Sequence, residues 1–169
     1  FANPDLELRI LINKCSIVKK EIILSNFNLS DIDLISFKKY FNRRIKNEPI
    51  SKIFNSKSFW KYNFYVNSNV LDPRPETELI IENILKKFTS KQKKLNILDM
   101  CTGSGCIAIS LAKEYVNAKI TATDISLKAI KVAKINAKKY DCLDQVSFIK
   151  CDSIEHLNKY DIVICNPPY

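Results

Sequence analysis

Apolar residues recur at three- and four-residue spacings along the first third of the chain, from Pro4 to about Phe54. This is the period of amphipathic helices, so we expect a small N-terminal helical domain over residues 1–54. Ser30, with an acid three positions later at Asp33, is a candidate N-cap within it. The apolar positions are Leu6, Ile10, Leu11, Ile32, Ile35, Phe37 and Phe41.

The pattern then changes to a two-residue alternation. Apolar or aromatic side chains at Tyr62, Phe64 and Val66 alternate with polar ones, which predicts a short hairpin. We assign residues 55–74 to this hairpin linker. A helix is expected to start just after it, because Pro75 is well accepted in a first helical turn.

From residue 95 onwards, short apolar runs alternate with amphipathic segments. Strands alternating with helices predict an α/β domain with a parallel sheet and right-handed crossovers over residues 75–169. Ligands of such sheets bind beyond the carboxyl ends of the strands. We predict strands at Leu95–Asp99, Ala118–Thr123, Val146–Lys150 and Tyr160–Cys165, and helices at Cys106–Glu114, Leu127–Lys139 and near Ser153–Leu157.

Composition narrows the possible functions only a little. The six cysteines form no CxxC pair and the chain has one histidine, His156, so we expect free thiols in a reducing cytoplasm and no zinc site. No apolar run is long enough to span a membrane. The net charge of +9 permits an acidic partner, but lysine is abundant along the whole chain, so this support is weak.

The segment Asn166-Pro167-Pro168-Tyr169 follows an apolar run that reads as a buried strand. The Asn166 oxygen can accept one N–H of a planar nitrogen group, and the Pro167 carbonyl can accept a second. The prolines stiffen the turn, and Tyr169 can cover the plane of the bound group. The segment therefore suits the positioning of a planar, weakly nucleophilic nitrogen for attack, with a simple strand-ending turn as the alternative.

The only two glycines of the chain are Gly103 and Gly105, in a loop between a predicted strand and helix. Glycine lets the backbone approach a ligand closely and adopt a positive φ, so this loop is a candidate nucleotide site. A dinucleotide-binding motif remains open, since Ala108 stands in the tolerated third position.

Three acids, Asp99, Asp124 and Asp152, stand at the ends of successive predicted strands. They suit S-adenosylmethionine, which is cationic and carries no pyrophosphate. Asp99 would face the methionine amine, Asp124 the ribose hydroxyls, and Asp152 the adenine amine, with Ser153 beside the ring. Helix N-capping is the alternative for Asp124 and Asp152.

Together these residues resemble the HemK/PrmC family of protein-(glutamine-N5) methyltransferases over nearly the whole chain. The sequence Pro-Arg-Pro-Glu-Thr-Glu at residues 73–78 is the most specific part of the resemblance. The final NPPY is shared with DNA adenine and ribosomal RNA guanine methyltransferases. Further matching segments are residues 48–50, 58–60, 70–72, 102–105 and 123–126.

The resemblance implies a Rossmann-like S-adenosylmethionine-dependent methyltransferase that modifies the glutamine of the GGQ motif in peptide chain release factors. It implies no metal, no membrane and no need for nucleic acid, and it makes residues 1–54 a substrate-docking domain. A sheet of this family continues beyond this strand. We therefore expect a fragment that lacks the C-terminal part, and expect residues 1–169 alone to be poorly stable and inactive.

The resemblance also implies roles for individual residues. Leu71 and Tyr169 would wall the substrate pocket, together with Pro73, Asn166, Pro167 and Pro168. Pro73, Arg74 and Thr77 would lie over the methionine end of the cofactor, with an ion pair to Glu76 or Glu78 as the alternative for Arg74. The cofactor loop would comprise Cys101, Thr102, Gly103, Ser104 and Gly105, where Cys101 replaces the usual first glycine.

Two other functions fit some of these features. A nucleic-acid methyltransferase acting on an exocyclic base amine would use the same NPPY, with Tyr169 stacked on a flipped base. A non-catalytic cofactor-binding remnant is the other, although the intact loop and NPPY argue against it.

Overall fold

The computed structural model of the protein describes residues 3–18, 28–151 and 159–168. The chain divides into two compact units, Phe1–Phe54 and Asn55–Tyr169. The first unit holds helices α1 (Pro4–Lys14), α2 (Leu34–Ile45) and α3 (Ile50–Ile53), with a 3₁₀ turn at Leu29–Asp31. None of the helices in these described ranges is long and apolar enough to cross a membrane.

Helix α2 begins at Leu34 because Asp33 caps it, so the expectation of an N-cap at Ser30 is wrong. The Asp33 carboxylate accepts hydrogen bonds from the amides of Ile35 and Ser36, both at 3.1 Å. Ser30 lies instead in the 3₁₀ turn, and the extended residue Ile32 separates that turn from the helix. An acid at the N-cap satisfies free amides and favours the positive end of the helix dipole.

The second unit contains a hairpin and a parallel sheet. Strands β1 (Ser56–Phe59) and β2 (Tyr62–Tyr65) form the antiparallel hairpin, and a 3₁₀ turn (Pro75–Thr77) leads into helix α4 (Glu78–Lys87). The parallel strands β3 (Asn96–Met100), β4 (Lys119–Asp124), β5 (Val146–Lys150) and β6 (Ile162–Cys165) are arranged in the order β5-β4-β3-β6. Helices α5 (Cys106–Glu114) and α6 (Leu127–Lys139) connect β3 to β4 and β4 to β5.

This arrangement confirms the predicted α/β class with a partial parallel sheet. The bounds of α5, α6 and β5 match the prediction, and the helix expected near Ser153–Leu157 lies outside the described residues. Strand β6 starts two residues later than expected, at Ile162. Just before it, the Asp161 amide donates to the Asn96 carbonyl and the Asp161 carboxylate accepts the Asn96 amide, both at 2.8 Å.

A carboxylate on α5 anchors the turn of the hairpin. Glu114, at the end of α5, accepts hydrogen bonds from the Trp60 indole at 2.9 Å and from the ammonium groups of Lys61 and Lys91. Beneath this cluster, Phe59 and Phe64 lie in the main hydrophobic core. The hairpin therefore has an apolar face in the core and a charged anchor at its turn.

Replacing Glu114 with Gln is expected to lower the free energy of unfolding by about 1–2 kcal/mol at pH 7. Burial opposes ionisation of Glu114, but the bonds from Lys61, Lys91 and Trp60 outweigh it and lower its pKa to about 2. The stability from the ionised form is therefore present above the ordinary pKa of 4.5 and is lost as the pH falls towards 2.

Urea unfolding at pH 7, 4 and 3 measures this effect, and the Glu114→Gln protein should show a flatter pH dependence. The matched control is Glu82→Gln, because the Glu82 side chain is half-exposed and its contact with Lys86 spans 4.0 Å. That control should stay within about 0.5 kcal/mol of the parent. Equal losses in the two variants would contradict the anchoring role.

Candidate functional site

The loop between β3 and α5 has the backbone conformation that its glycines predict. Gly103 and Gly105 have φ values of +56° and +80°, and Cys101 is also left-handed at +56°. A Cβ on Gly105 would lie 3.1 Å from the Ala133 Cβ and 3.0 Å from a methyl carbon of Ile109. Gly105 is therefore required by conformation and by contact with α6, and Cys101 adopts a conformation that a glycine would take without strain.

A buried amide on α6 fixes this loop. The Asn136 side chain donates to the Ser104 carbonyl at 2.8 Å and to the Tyr65 carbonyl at 2.9 Å, and it accepts from the Tyr65 amide at 2.7 Å. Sequence reasoning missed Asn136. The available signal was a polar residue on the face of α6 that is otherwise apolar, with Ala129, Val132 and Ala133.

Asp99 is fully buried at the carboxyl end of β3. Its Oδ2 accepts from the Thr102 hydroxyl at 2.6 Å and from the Ala108 amide at 3.2 Å, whereas Oδ1 has no partner among the described residues. Burial raises the pKa of Asp99 to about 7 although both hydrogen bonds lower it. An unsatisfied buried oxygen is costly, and an ammonium or water at this position would satisfy it, as the predicted role requires.

Asp124 ends the neighbouring strand, and its two oxygens each accept one backbone amide. Oδ2 accepts from Gly103 and Oδ1 accepts from Ser126, both at 2.9 Å. Ser126 rather than Asp124 is the N-cap of α6, since its hydroxyl oxygen accepts the Ala129 amide at 3.2 Å. A carboxylate has about four acceptor positions, so Asp124 keeps capacity for the ribose hydroxyls predicted for it.

Asn166 directly follows β6, and its Nδ2 donates to the Thr77 hydroxyl oxygen at 3.3 Å. Thr77 is buried at the start of α4, and Asn166 is half-buried. Pro167 and Pro168 are exposed beyond it. With Nδ2 directed to Thr77, the carbonyl oxygen of the Asn166 amide is the group left for a donor.

The strand register brings these residues to one edge of the sheet. Met100 lies opposite Thr123 on one side and Cys165 on the other. The glycine loop, Asp124 and Asn166 therefore share the carboxyl edge. A depression of about 560 Å³ opens at the opposite edge, near Asn96, Lys119 and Tyr160, and contains none of the described site residues.

The other residues predicted for the site differ in how exposed they are. Leu71 is 68% exposed, Pro73 is buried and Arg74 is exposed. Glu78, one alternative partner for Arg74, accepts the Trp60 amide at 2.8 Å. Asp152, Ser153 and Tyr169 lie outside the described residues. Within the described ranges, no group of three potential metal ligands occurs.

Comparison with protein families matches residues 69–169 to the methyltransferase small domain. A bifunctional methyltransferase of Rickettsia bellii is 37% identical over 99% of the chain, which covers 35% of that relative. A release factor glutamine methyltransferase of Leptospira interrogans is 35% identical over 97% of the chain and 59% of its own length. The chain therefore spans about a third of the first relative and somewhat less than two thirds of the second.

Among solved structures, a SAM-dependent methyltransferase from Agrobacterium tumefaciens aligns with a TM-score of 0.53 and 21% identity, over 67% of this chain and 39% of that one. This likeness confirms the predicted Rossmann-like fold. The relatives confirm the resemblance to release factor glutamine methyltransferases, and the family match confirms a methyltransferase domain.

We expect S-adenosylmethionine to bind the full-length protein about tenfold more weakly at pH 6 than at pH 8. The pKa of Asp99 is raised to about 7, so the carboxyl is mostly neutral at pH 6 and mostly ionised at pH 8. Only the ionised form attracts the methionine ammonium, so binding should strengthen as Asp99 loses its proton.

Calorimetric titration at the two pH values measures this difference. In Asp99→Asn, a neutral isostere, binding should be weaker and nearly independent of pH over this range. A parent-like pH dependence in that variant would show that another group titrates.

Proposed function

Because the chain belongs to the methyltransferase small domain family, we propose that the protein methylates the side-chain nitrogen of a protein glutamine, that of the GGQ motif in peptide chain release factors. The observation that carries this proposal is the hydrogen bond from Asn166 to Thr77. It joins the two segments on which the resemblance rests, NPPY and residues 73–78. The name of the Leptospira relative supports the same substrate.

The reaction places a particular demand on the protein. S-adenosylmethionine supplies an electrophilic methyl group on its sulfonium. An amide nitrogen is a poor nucleophile because its lone pair is delocalised into the carbonyl, and no side chain here is basic enough to deprotonate it. Rate enhancement must come from orientation and from fixed dipoles.

The chain's own residues meet this demand with two acceptors. The Asn166 carbonyl oxygen and the Pro167 backbone carbonyl would accept the two N–H groups of the substrate amide and turn its lone pair towards the methyl group. Pro167 and Pro168 carry no N–H that competes for these acceptors. The proton leaves after transfer, when the nitrogen has become strongly acidic.

Two acids of the site would bind groups of the cofactor. Asp99 offers its unpartnered Oδ1 to the ammonium, and Asp124 retains acceptor positions for hydroxyl groups. Gly105 lets the loop run close to α6 without a side chain in between.

We further propose that residues 1–54 dock the release factor and that the protein acts in the cytoplasm.

Asn166→Ala is expected to lower kcat on a release factor at least about 100-fold, because one of two acceptors is removed. The dissociation constant of S-adenosylmethionine should change less than about threefold, since the cofactor acids are untouched. Labelled methyl transfer and calorimetry with the full-length protein measure both. Asn117→Ala, an exposed asparagine in another loop, is the control and should keep parent activity; unchanged activity in Asn166→Ala would refute the assignment.

Thr77→Val should lower kcat about tenfold, because the variant loses the hydrogen bond that fixes the Asn166 amide. Thr77→Ser keeps the hydroxyl and should retain most of the activity. The binding constant of S-adenosylmethionine separates this role from the cofactor contact implied for Thr77. If the Val variant loses cofactor affinity with kcat unchanged, Thr77 serves the cofactor instead of Asn166.

Methylation of an exocyclic base amine is the second candidate, favoured by the net charge of +9. The discriminating experiment offers the full-length protein a release factor, ribosomal RNA and DNA with labelled S-adenosylmethionine. We expect label only in the release factor, at the glutamine amide. Label in nucleic acid alone would establish the second candidate, and none in any acceptor, with intact cofactor binding, would support a non-catalytic role.

A further inference from the structure

We propose that Cys101 and Cys165 are a redox-sensitive dithiol at the edge of the candidate site, which a hydroperoxide such as hydrogen peroxide converts into a reversible disulfide. Such a bond would join the first residue of the glycine loop to the residue before Asn166. Its formation depends on geometry alone, whereas its effect on activity rests on the proposed function.

The register of the sheet brings the two cysteines together. Met100 and Cys165 are direct partners in the parallel pair β3–β6, and adjacent strands lie about 4.8 Å apart. Cys101 is the next residue after Met100 and turns away from the strand with a φ of +56°. One strand spacing combined with one residue step gives a separation of about 6 Å between the Cys101 and Cys165 Cα atoms, inside the window of about 4.4–6.8 Å that a disulfide accepts.

Both side chains are exposed, in contrast to the other cysteines of the described ranges. Cys15, Cys106 and Cys142 are buried, and Cys151 is intermediate. Burial first, and then the neighbouring Cys165 thiol, raise the pKa of Cys101, so oxidation should be slower than at an activated cysteine.

Cys151 is the one other cysteine with partial exposure near this edge, and it is too distant. It follows β5, and β4 lies between β5 and β3. Two strand spacings place it about 10 Å from Cys101, beyond the reach of a disulfide without movement of the backbone. The geometry thus selects a single pair.

The chemistry balances with one peroxide molecule. A thiolate attacks hydrogen peroxide, the O–O bond breaks, and a sulfenic acid and one water result. The second thiol attacks the sulfenic sulfur and displaces a second water, which completes the S–S bond. The two thiols lose two electrons and two protons in total, and a dithiol reductant reverses the change by exchange.

The expected consequence is weaker cofactor binding and slower methyl transfer. The disulfide would hold Cys101 against β6 and restrict the loop that carries Gly103 and Gly105. Bound S-adenosylmethionine should in turn slow disulfide formation, because coupling between two events at one site is reciprocal.

The test treats the fully reduced, full-length protein with excess hydrogen peroxide, followed by peptide mapping under non-reducing conditions. We expect a cross-linked peptide pair containing Cys101 and Cys165, lighter by two hydrogens than the separate peptides. Affinity for S-adenosylmethionine should fall about tenfold and recover with dithiothreitol. Cys165→Ser should keep its basal methyl transfer and lose the peroxide effect, whereas Cys151→Ser should remain as sensitive as the parent.

Three results would overturn the proposal: stable sulfenic or sulfinic acid without a cross-link, a cross-link to a different cysteine, or unaltered peroxide sensitivity in Cys165→Ser. Failure of the proposed function is distinguishable. In that case the cross-link and the change in cofactor affinity would still occur, while the parent protein would transfer no methyl group to a release factor even when reduced.

Discussion

The buried amide of Asn136 connects the parts of the molecule on which the site depends. Its three hydrogen bonds reach the hairpin at Tyr65 and the glycine loop at Ser104. One turn away, the Tyr140 hydroxyl accepts from and donates to the backbone of Asn63. A two-stranded hairpin leaves backbone groups unpaired along its edge, and α6 satisfies them with side chains. The hairpin, helix α6 and the glycine loop are thus held together.

Gly105 and Ala133 also lie close together, which holds the glycine loop against α6. Because α6 approaches the loop this closely, the amides at the start of α5 and the acids of β3 and β4 have defined positions. Polar groups in such a setting must be satisfied within the protein or by a ligand. Asp124 is held by the backbone through both oxygens, whereas one buried oxygen of Asp99 has no partner among the described residues.

Sequence reasoning performed best where local chemistry decides the structure. The helices at Cys106–Glu114 and Leu127–Lys139 follow from apolar periodicity between turns, and the positive φ of Gly103 and Gly105 follows from their isolation in one loop. It failed at the start of α2, where Asp33 rather than Ser30 is the cap. Two polar residues near each other compete for the same role, and the pattern alone does not rank them.

The sequence by itself determined the alternation of strands and helices and the position of the glycine loop and of NPPY at strand ends, because each is encoded within a few consecutive residues. The tertiary structure alone decided which distant groups meet. The partner of Asn166 is Thr77, 89 positions away, and the partners of Asn136 are 71 and 32 positions away. These contacts depend on the order β5-β4-β3-β6 and on how the helices pack on it. Strand order and helix packing depend on the burial of many side chains from the whole chain. A short stretch of sequence does not contain this information.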